Sequence, residues 1–111
     1  MTNYTTGHEA EQVAAVYLEA QGFNIKDINW KTRYCEIDII AEKDKTIYFV
    51  EVKSRKNSSQ GYGLDYVTPK KLQQMRFAAE MWVSQQHWNG PYQLSALGID
   101  SGRFNFVECI D

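Results

Sequence analysis

Apolar side chains recur with the 3.6-residue period of an amphipathic helix in two stretches of the chain. The first covers residues 7–21 and stops at Gly22, a residue type that ends helices by adopting the left-handed conformation. The second follows Thr68 and Pro69, a capping residue and a proline at the first helical position, and extends to about His87. The sequence therefore predicts two helices, one near the start of the chain and one in its second half.

Around these helices, β-branched and aromatic residues alternate with polar ones, which is typical of strands. The predicted strands are residues 23–30, 33–42, 46–53, 92–99 and 104–110. A slip in the alternation predicts a bulge near Lys26-Asp27, and the polar residues 43–45 predict a turn that joins the second and third strands as an antiparallel hairpin. The order of helix, three strands, helix and one or two strands indicates an α/β domain, with a mixed β-sheet flanked by helices.

Acidic residues on the predicted hairpin do not fit an ordinary solvated strand surface. Because strand side chains alternate, Glu36 and Asp38 share one face of their strand, and Glu51 and Lys53 share one face of theirs with Phe49. A turn centred midway between positions 43 and 44 would place Glu36 opposite Glu51 and Asp38 opposite Phe49. We therefore expect the three carboxylates and the lysine to share one face of the sheet.

A helical glutamate adds to this set. Glu11 lies inside the apolar arc of the first predicted helix, between Ala15 and Leu18, and would reach the carboxylates if that helix packs on the same sheet face. Carboxylates so close together repel, and a divalent cation such as Mg²⁺ would neutralise them, lower the pKa of a bound water and leave Lys53 beside a phosphate oxygen. The ordinary alternative is a solvated strand face on which Glu51 and Lys53 pair with exposed partners.

Length and charge refine this picture. The 111 residues fit one domain, 1–111, in which residues 1–6 are expected to be flexible. The formal net charge of −2 argues against a uniformly basic protein, but residues 51–76 carry six basic and two acidic residues, a local net of +4 that predicts a localised nucleic-acid footprint. No membrane-spanning run or signal peptide is visible, so we expect a cytoplasmic protein with two buried thiols, Cys35 and Cys109.

Several spaced motifs resemble known proteins. Asp38, then twelve residues, then Glu51-Val52-Lys53 resembles the D…ExK signature of the PD-(D/E)XK nuclease superfamily, and a helical glutamate precedes it as in the archaeal Holliday junction resolvases. Over residues 7–110 the chain is more closely similar to the YraN family of small, uncharacterised bacterial proteins. The motifs that carry this resemblance are Gly7-x-x-Ala10-Glu11, Gly22-Phe23, Asn29-Trp30, Glu36-Ile37-Asp38, Phe49-Val50-Glu51-Val52-Lys53-x-Arg55, Tyr62-Gly63 and Val67-x-x-x-Lys71.

The resemblance implies a restriction endonuclease-like fold, αβββαβ with an extra C-terminal strand, and an endonuclease that acts on DNA, including branched or damaged DNA. It implies that Glu11, Asp38, Glu51 and Lys53 are catalytic, and that Mg²⁺ or Mn²⁺ is held by the three carboxylates together with Glu36. Resolvase-like relatives also imply a homodimer.

Further residues are candidate contacts to nucleic acid. Arg55, Tyr62 and Lys71 match family positions that could contact phosphate. Lys56 and Lys70 join them because they lie in the same basic segment, and Tyr62 stands between two glycines where its ring could stack on a base. A non-catalytic nucleic-acid-binding module and an interaction protein without a nucleic-acid role are the alternatives, because family membership does not establish chemistry.

Overall fold

The computed structural model describes residues 3–55 and 67–111. These residues form two helices and one five-stranded sheet, in the predicted order αβββαβ followed by an additional strand. The elements are α1 (Asn3–Ala20), β1 (Asn24–Lys31), β2 (Glu36–Lys43), β3 (Thr46–Arg55), α2 (Pro69–Gln86), β4 (Tyr92–Asp100) and β5 (Arg103–Val107). The predicted α/β fold class, a mixed sheet flanked by helices, is confirmed.

Local signals in the sequence set the helix ends. Gly22 has a φ of 98° after α1, and the Phe23 amide donates to the Leu18 carbonyl at 3.0 Å, which is the hydrogen bond of a Schellman motif. At α2 the Thr68 hydroxyl accepts from the Lys71 amide at 3.1 Å, and Pro69 follows at the first helical position. Helix α1 begins earlier than the predicted residue 7, at Asn3.

The sheet has the order β1-β2-β3-β4-β5, in which only the β3–β4 pair is parallel among the described strands. That exception follows from the connection, because α2 lies between β3 and β4 in the sequence and parallel strands require a long crossover. The predicted irregularity in β1 is confirmed as a register shift between Ile25 and Asp27. No described helix has the combination of length and apolar character needed to cross a bilayer.

Two hydrophobic cores lie on opposite faces of the sheet. The first is built from α1, with Leu18 fully buried against Ile39 and Val50. The second is built from α2, where Trp82 meets Phe49 edge-on with ring centroids 5.6 Å apart. The two helices therefore cover different faces, so α1 does not pack on the face carrying Phe49 and Glu51, which was the condition for Glu11 to reach the carboxylates from that face.

The β2–β3 turn shifts the predicted register. Asp44 and Lys45 both have positive φ, 53° and 65°, and form the two-residue turn that matches the twist of a hairpin. Lys43 then pairs with Thr46, and Ile40, not Asp38, pairs with Phe49. The predicted pairs Glu36–Glu51 and Asp38–Phe49 are wrong because the turn is centred one residue further along the chain.

The ends of two predicted strands also differ. Strand β2 begins at Glu36, not at residue 33, and β5 ends at Val107, not at residue 110. Both cysteines consequently lie outside the strands, Cys35 half-buried and Cys109 exposed, each as a free thiol. The expectation of two buried thiols is wrong: Cys109 is exposed because the chain has left the sheet before it, and Cys35 is only half-buried.

Candidate functional site

The sheet divides between β2 and β3 at the level of Asp38. The pairing of these two strands ends at Ile39 and Val50. Beyond that point β3 continues beside β4 as far as the pair Arg55 and Asp100, whereas β2 continues beside β1 to Glu36. Because the two halves of the sheet separate here, the side chains and backbone groups at the opening are available for a site rather than for sheet pairing.

In both β1 and β2, the apolar side chains switch from one face of the sheet to the other at the level of Asp38. Ile39 packs in the α1 core and Ile37 in the α2 core, although residues two apart in a regular strand share a face. In β1, Ile28 and Trp30 divide between the two cores in the same way, and Asn29 between them has a φ of 60°. Asparagine tolerates this conformation better than most residues. The alternation from which a shared face was predicted for the carboxylates is therefore interrupted at Asp38.

Asp38 is held at the opening by the backbone of β3. Its Oδ2 accepts a hydrogen bond from the Val52 amide at 2.8 Å. This side-chain bond follows the last backbone pair of the two strands, so the carboxylate satisfies an amide that the departing β2 no longer covers. Asp38 is consequently fixed between the two halves of the sheet, within electrostatic reach of both Glu51 and Glu11.

Glu51 is the buried acid of the site, with 5% of its surface exposed. Burial raises the pKa of Glu51 and the nearby Asp38 charge raises it further, while two lysines oppose this effect. Lys53 Nζ lies 3.5 Å from Glu51 Oε2, and Lys71 Nζ of α2 lies 3.4 Å from Oε1. Asp38, Glu51, Lys53 and Lys71 thus form what we call the acid–lysine cluster.

Glu11 reaches the opening from the α1 side. Its Oε1 is buried and has no hydrogen-bond partner among the described residues. Burial and the neighbouring Asp38 carboxylate raise the pKa of Glu11 to about 7, with a smaller contribution from Glu36. The apolar position predicted for Glu11 therefore corresponds to a partly buried carboxyl that meets Asp38. Asp38 perturbs Glu11 on one side of the sheet and Glu51 on the other.

The described acidic side chains offer few ligands for a metal ion. Across residues 3–55 and 67–111, no three His, Cys, Asp or Glu side chains are grouped closely enough to hold one ion. The predicted set of Glu11, Glu36, Asp38 and Glu51 thus stays a prediction. Mg²⁺ is commonly held by one or two carboxylates together with water and substrate phosphates. Asp38 and Glu51, whose charges repel across the opening, meet that smaller requirement.

The structure describes some, but not all, of the residues predicted to contact nucleic acid. The backbone of Arg55 ends β3, and Lys56 and Tyr62 lie outside the described residues. Lys70 is exposed in the first turn of α2, next to Lys71 in the acid–lysine cluster. Lys71, which the sequence predicts as a phosphate contact, thus lies within ion-pair distance of the buried Glu51.

Sequence reasoning missed one group of residues beside this cluster. Lys31, Arg33 and Tyr34, in or near the β1–β2 connection, line a cleft of about 390 Å³ that also includes Lys71. The available signal was the mixed basic and aromatic composition of residues 31–34. The alternation of side chains predicts a strand over residues 33–34, whereas they lie in the connection that precedes β2.

The fold and site define a class of protein: an α/β domain whose mixed sheet carries an acid–lysine cluster where two neighbouring strands separate. The chain belongs to the uncharacterised protein family UPF0102, whose model matches residues 10–109. This membership confirms the resemblance to YraN-like proteins and assigns no activity.

Similarity to individual relatives covers nearly the whole chain. A UPF0102 protein of Vibrio parahaemolyticus is 40% identical over 106 residues, covering 92% of this chain and 88% of the relative. A UPF0102 protein of Shewanella denitrificans is 36% identical over 104 residues, covering 94% of this chain and 96% of the relative. A UPF0102 protein of Nitratiruptor is 32% identical over 108 residues, covering 97% and 94% respectively.

Proposed function

We propose that the protein is a divalent-metal-dependent endonuclease that hydrolyses phosphodiester bonds in DNA, including branched or damaged DNA. The observation that carries this proposal is the acid–lysine cluster: a buried Glu51, a fixed Asp38 and two ammonium groups meet where the sheet opens. Carboxylates that repel each other favour a cation between them, and ammonium groups beside them favour phosphate.

The residues of the cluster have separate roles in this proposal. Asp38 and Glu51 would hold the Mg²⁺ or Mn²⁺ ion, which when bound polarises a phosphate and lowers the pKa of a water. Asp38 is kept in place by the Val52 amide, so its carboxylate does not have to be ordered when the ion enters. Glu51 is also held in place, in its case by burial.

The two lysines supply the positive charge that phosphodiester cleavage requires. The side chain of Lys53 is 36% exposed and that of Lys71 is 29% exposed, so each ammonium is open to solvent while it remains close to Glu51. Lys53 can orient the attacking water or donate to a phosphate oxygen. Lys71 can donate to a neighbouring phosphate in the backbone of the bound nucleic acid. Glu11, whose pKa is raised to about 7, would exchange a proton with solvent at neutral pH.

A cleavage panel tests the proposal. Purified protein would be incubated with single-stranded, duplex, flapped and four-way DNA and with RNA, with and without Mg²⁺ or Mn²⁺. We expect metal-dependent products from at least one DNA, and a rate lower by about 10²- to 10³-fold for Lys53→Ala, the loss typical when a charge-stabilising donor is removed. Asp38→Asn should abolish the metal-dependent cleavage, since it keeps a side-chain acceptor for the Val52 amide and removes the charge that would hold the ion.

Lys26→Ala provides the matched control. Lys26 is also a sheet lysine paired with a glutamate, at 3.0 Å from Glu42, but it lies on β1 away from the opening. Its substitution should leave the cleavage rate unchanged. The absence of products from every substrate with either metal would contradict the proposal, as would products that persist undiminished in Lys53→Ala.

One observation favours a second candidate, a non-catalytic nucleic-acid-binding module. Both carboxylate oxygens of Glu51 already lie within ion-pair distance of lysines, so the acid balances charge without a metal. For such a module, DNA or RNA binding would survive Asp38→Asn and would not require a divalent ion. Failure to bind any DNA or RNA at low salt would instead favour an interaction protein without a nucleic-acid role.

A further inference from the structure

Two exposed aromatic rings border the same depression beside the acid–lysine cluster. Tyr34, between β1 and β2, is 71% exposed, and Phe77 on α2 is 50% exposed. Both line a depression of about 270 Å³ together with Lys70. Tyr34 also lines the adjoining cleft of about 390 Å³, so its ring belongs to both hollows. Large aromatic groups open to water in a hollow of this kind are typical of binding surfaces.

The position of Tyr34 is fixed by a local turn. The Thr32 hydroxyl accepts hydrogen bonds from the Tyr34 amide at 3.1 Å and from the Cys35 amide at 3.2 Å. The Thr32 amide donates to the Cys35 carbonyl at 2.8 Å, which closes the turn. Tyr34 thus points outward from an ordered turn, and Arg33 places its guanidinium carbon 5.7 Å from the ring centroid. Because the backbone that carries the ring is already ordered, less conformational freedom is lost when a ligand stacks on it.

The charges around these rings favour a polyanion. The two hollows are lined by four cationic residues and a single carboxylate, Glu36, although the whole chain has a net charge of −2. The four are Lys31, Arg33, Lys70 and Lys71. Lys70 and Lys71 lie in the first turn of α2, where a positive side chain opposes the helix dipole and therefore adds nothing to helix stability. Glu51 accounts for the placement of Lys71, whereas the placement of the exposed Lys70 is better explained by an anionic ligand.

The surface is continuous with the proposed cleavage site. Lys71 lines the larger cleft, and its ammonium is 3.4 Å from Glu51 in the acid–lysine cluster. A strand whose phosphates contact Lys70 and Lys71 would therefore run from the aromatic depression towards Glu51 and Lys53. Bases inside a duplex are already stacked on their neighbours, so two exposed rings at this position can be used only by bases that are unpaired.

We propose that the aromatic cleft formed by Tyr34, Phe77 and the four cationic residues binds an unpaired stretch of a nucleic-acid strand. Bases stack on Tyr34 and Phe77, and Arg33, Lys70 and Lys71 contact the phosphates. The proposal rests on the proposed function in taking nucleic acid as the partner, and it deepens that function by naming single-stranded segments, such as those at branches and gaps, as the feature recognised. It concerns binding, so it can be tested without cleavage.

The test measures binding in EDTA, where a metal-dependent nuclease cannot cleave. Fluorescence anisotropy would give dissociation constants for an oligothymidine strand, an oligouridine strand and a blunt duplex of equal length. We expect one or both single strands to bind more tightly than the duplex, and the comparison of the two identifies the preferred sugar. Tyr34→Ala and Phe77→Ala should each weaken single-strand binding about tenfold, as expected when a base loses an aromatic partner. Tyr34→Trp, which keeps a stacking surface, should restore the affinity.

The salt dependence separates stacking from charge. For single strands the logarithm of affinity falls with the logarithm of salt concentration by about 0.7 per phosphate contact. Lys70→Ala should reduce this slope by about that amount, whereas Tyr34→Ala should lower affinity and leave the slope unchanged. A merely structural role for Tyr34 would not produce this difference.

Tyr92→Ala is the matched aromatic control. Tyr92 is 40% exposed, and it pairs with Ile47 at the start of β3, six residues and about 20 Å along the strand from Lys53. This variant should bind the single strand like the wild type. Equal binding of single strands and duplex, or wild-type affinity in both Tyr34→Ala and Phe77→Ala, would overturn the inference. Loss of binding in these variants without any cleavage by the wild type would support the cleft and count against the nuclease proposal alone.

Discussion

Replacing Glu11 with glutamine should stabilise the protein at alkaline pH. In the wild type, burial and the Asp38 charge raise the pKa of Glu11 from its ordinary value of 4.5 to about 7. The folded state therefore retains a proton that the unfolded state releases at lower pH. By linkage, the stabilisation from this proton is fully present below pH 4.5 and is lost as the pH rises through about 7. Glutamine is neutral at every pH and escapes this loss.

The expected size of the effect follows from the two pKa values. The full difference between 4.5 and about 7 would correspond to about 3 kcal/mol in the free energy of unfolding. Glu11 is half-buried, so solvent screening reduces the expected value to about 1 kcal/mol. Urea unfolding followed by tryptophan fluorescence at pH 5, 6, 7 and 8 would measure it, with similar stability of Glu11→Gln and wild type at pH 5 and a gap of about 1 kcal/mol at pH 8.

Glu9→Gln is the control on the same helix, because Glu9 is exposed and its substitution should give no gap that grows with pH. Glu51, whose pKa is also raised by burial and by Asp38, is present in both Glu11 proteins, so its contribution largely cancels in the comparison. If wild type and Glu11→Gln have the same stability at pH 8, or if Glu11→Gln loses as much stability as the wild type between pH 5 and pH 8, the reasoning about Glu11 is refuted.

Three further substitutions and one ligand test other parts of the structure. Mg²⁺ at about 100 times its dissociation constant should raise the unfolding free energy by about 2.7 kcal/mol in calorimetry or urea titration, and not in Asp38→Asn; equal shifts would remove Asp38 from the metal site. Thr68→Ala should cost about 1 kcal/mol in urea titration through the lost helix cap, and no loss would show that the cap is dispensable. Gly22→Ala should lower the free energy of unfolding by about 1 kcal/mol, because the φ of 98° is unfavourable for alanine. An unchanged Tm would show that α1 does not end in this conformation. Phe49→Ala should cost about 3 to 5 kcal/mol, and a cost below 1 kcal/mol would contradict its central place in the α2 core.

Features governed by neighbouring residues were predictable from the sequence. Gly22 and the Thr68-Pro69 pair specify helix ends through local conformation and hydrogen bonding, and both helices end or begin where these residues predict. The bulge in β1 was visible as a slip in the alternation of side chains. The apolar setting of Glu11 was also visible, because helical periodicity alone places it among buried residues.

Features that depend on how strands meet were not predictable in the same way. The turn residues Lys43, Asp44 and Lys45 contain no glycine to mark its centre, so two registers were compatible with the pattern. The change of face at Asp38 depends on the left-handed conformation of Asn29 in the neighbouring strand. The aromatic cleft brings Tyr34 from a strand connection beside Phe77 on α2, and the two residues are 43 positions apart in the sequence.

The two-residue turn at Asp44 and Lys45 has a consequence for insertions and deletions. Exposed turns far from a site generally accept extra residues. This turn sets the pairing of β2 with β3, and one inserted residue that shifted the pairing would move Asp38 by about 3.3 Å along the strand relative to Val52. Length at this turn is therefore constrained by the geometry of the opening about 20 Å away, although any polar residues that tolerate positive φ would serve there.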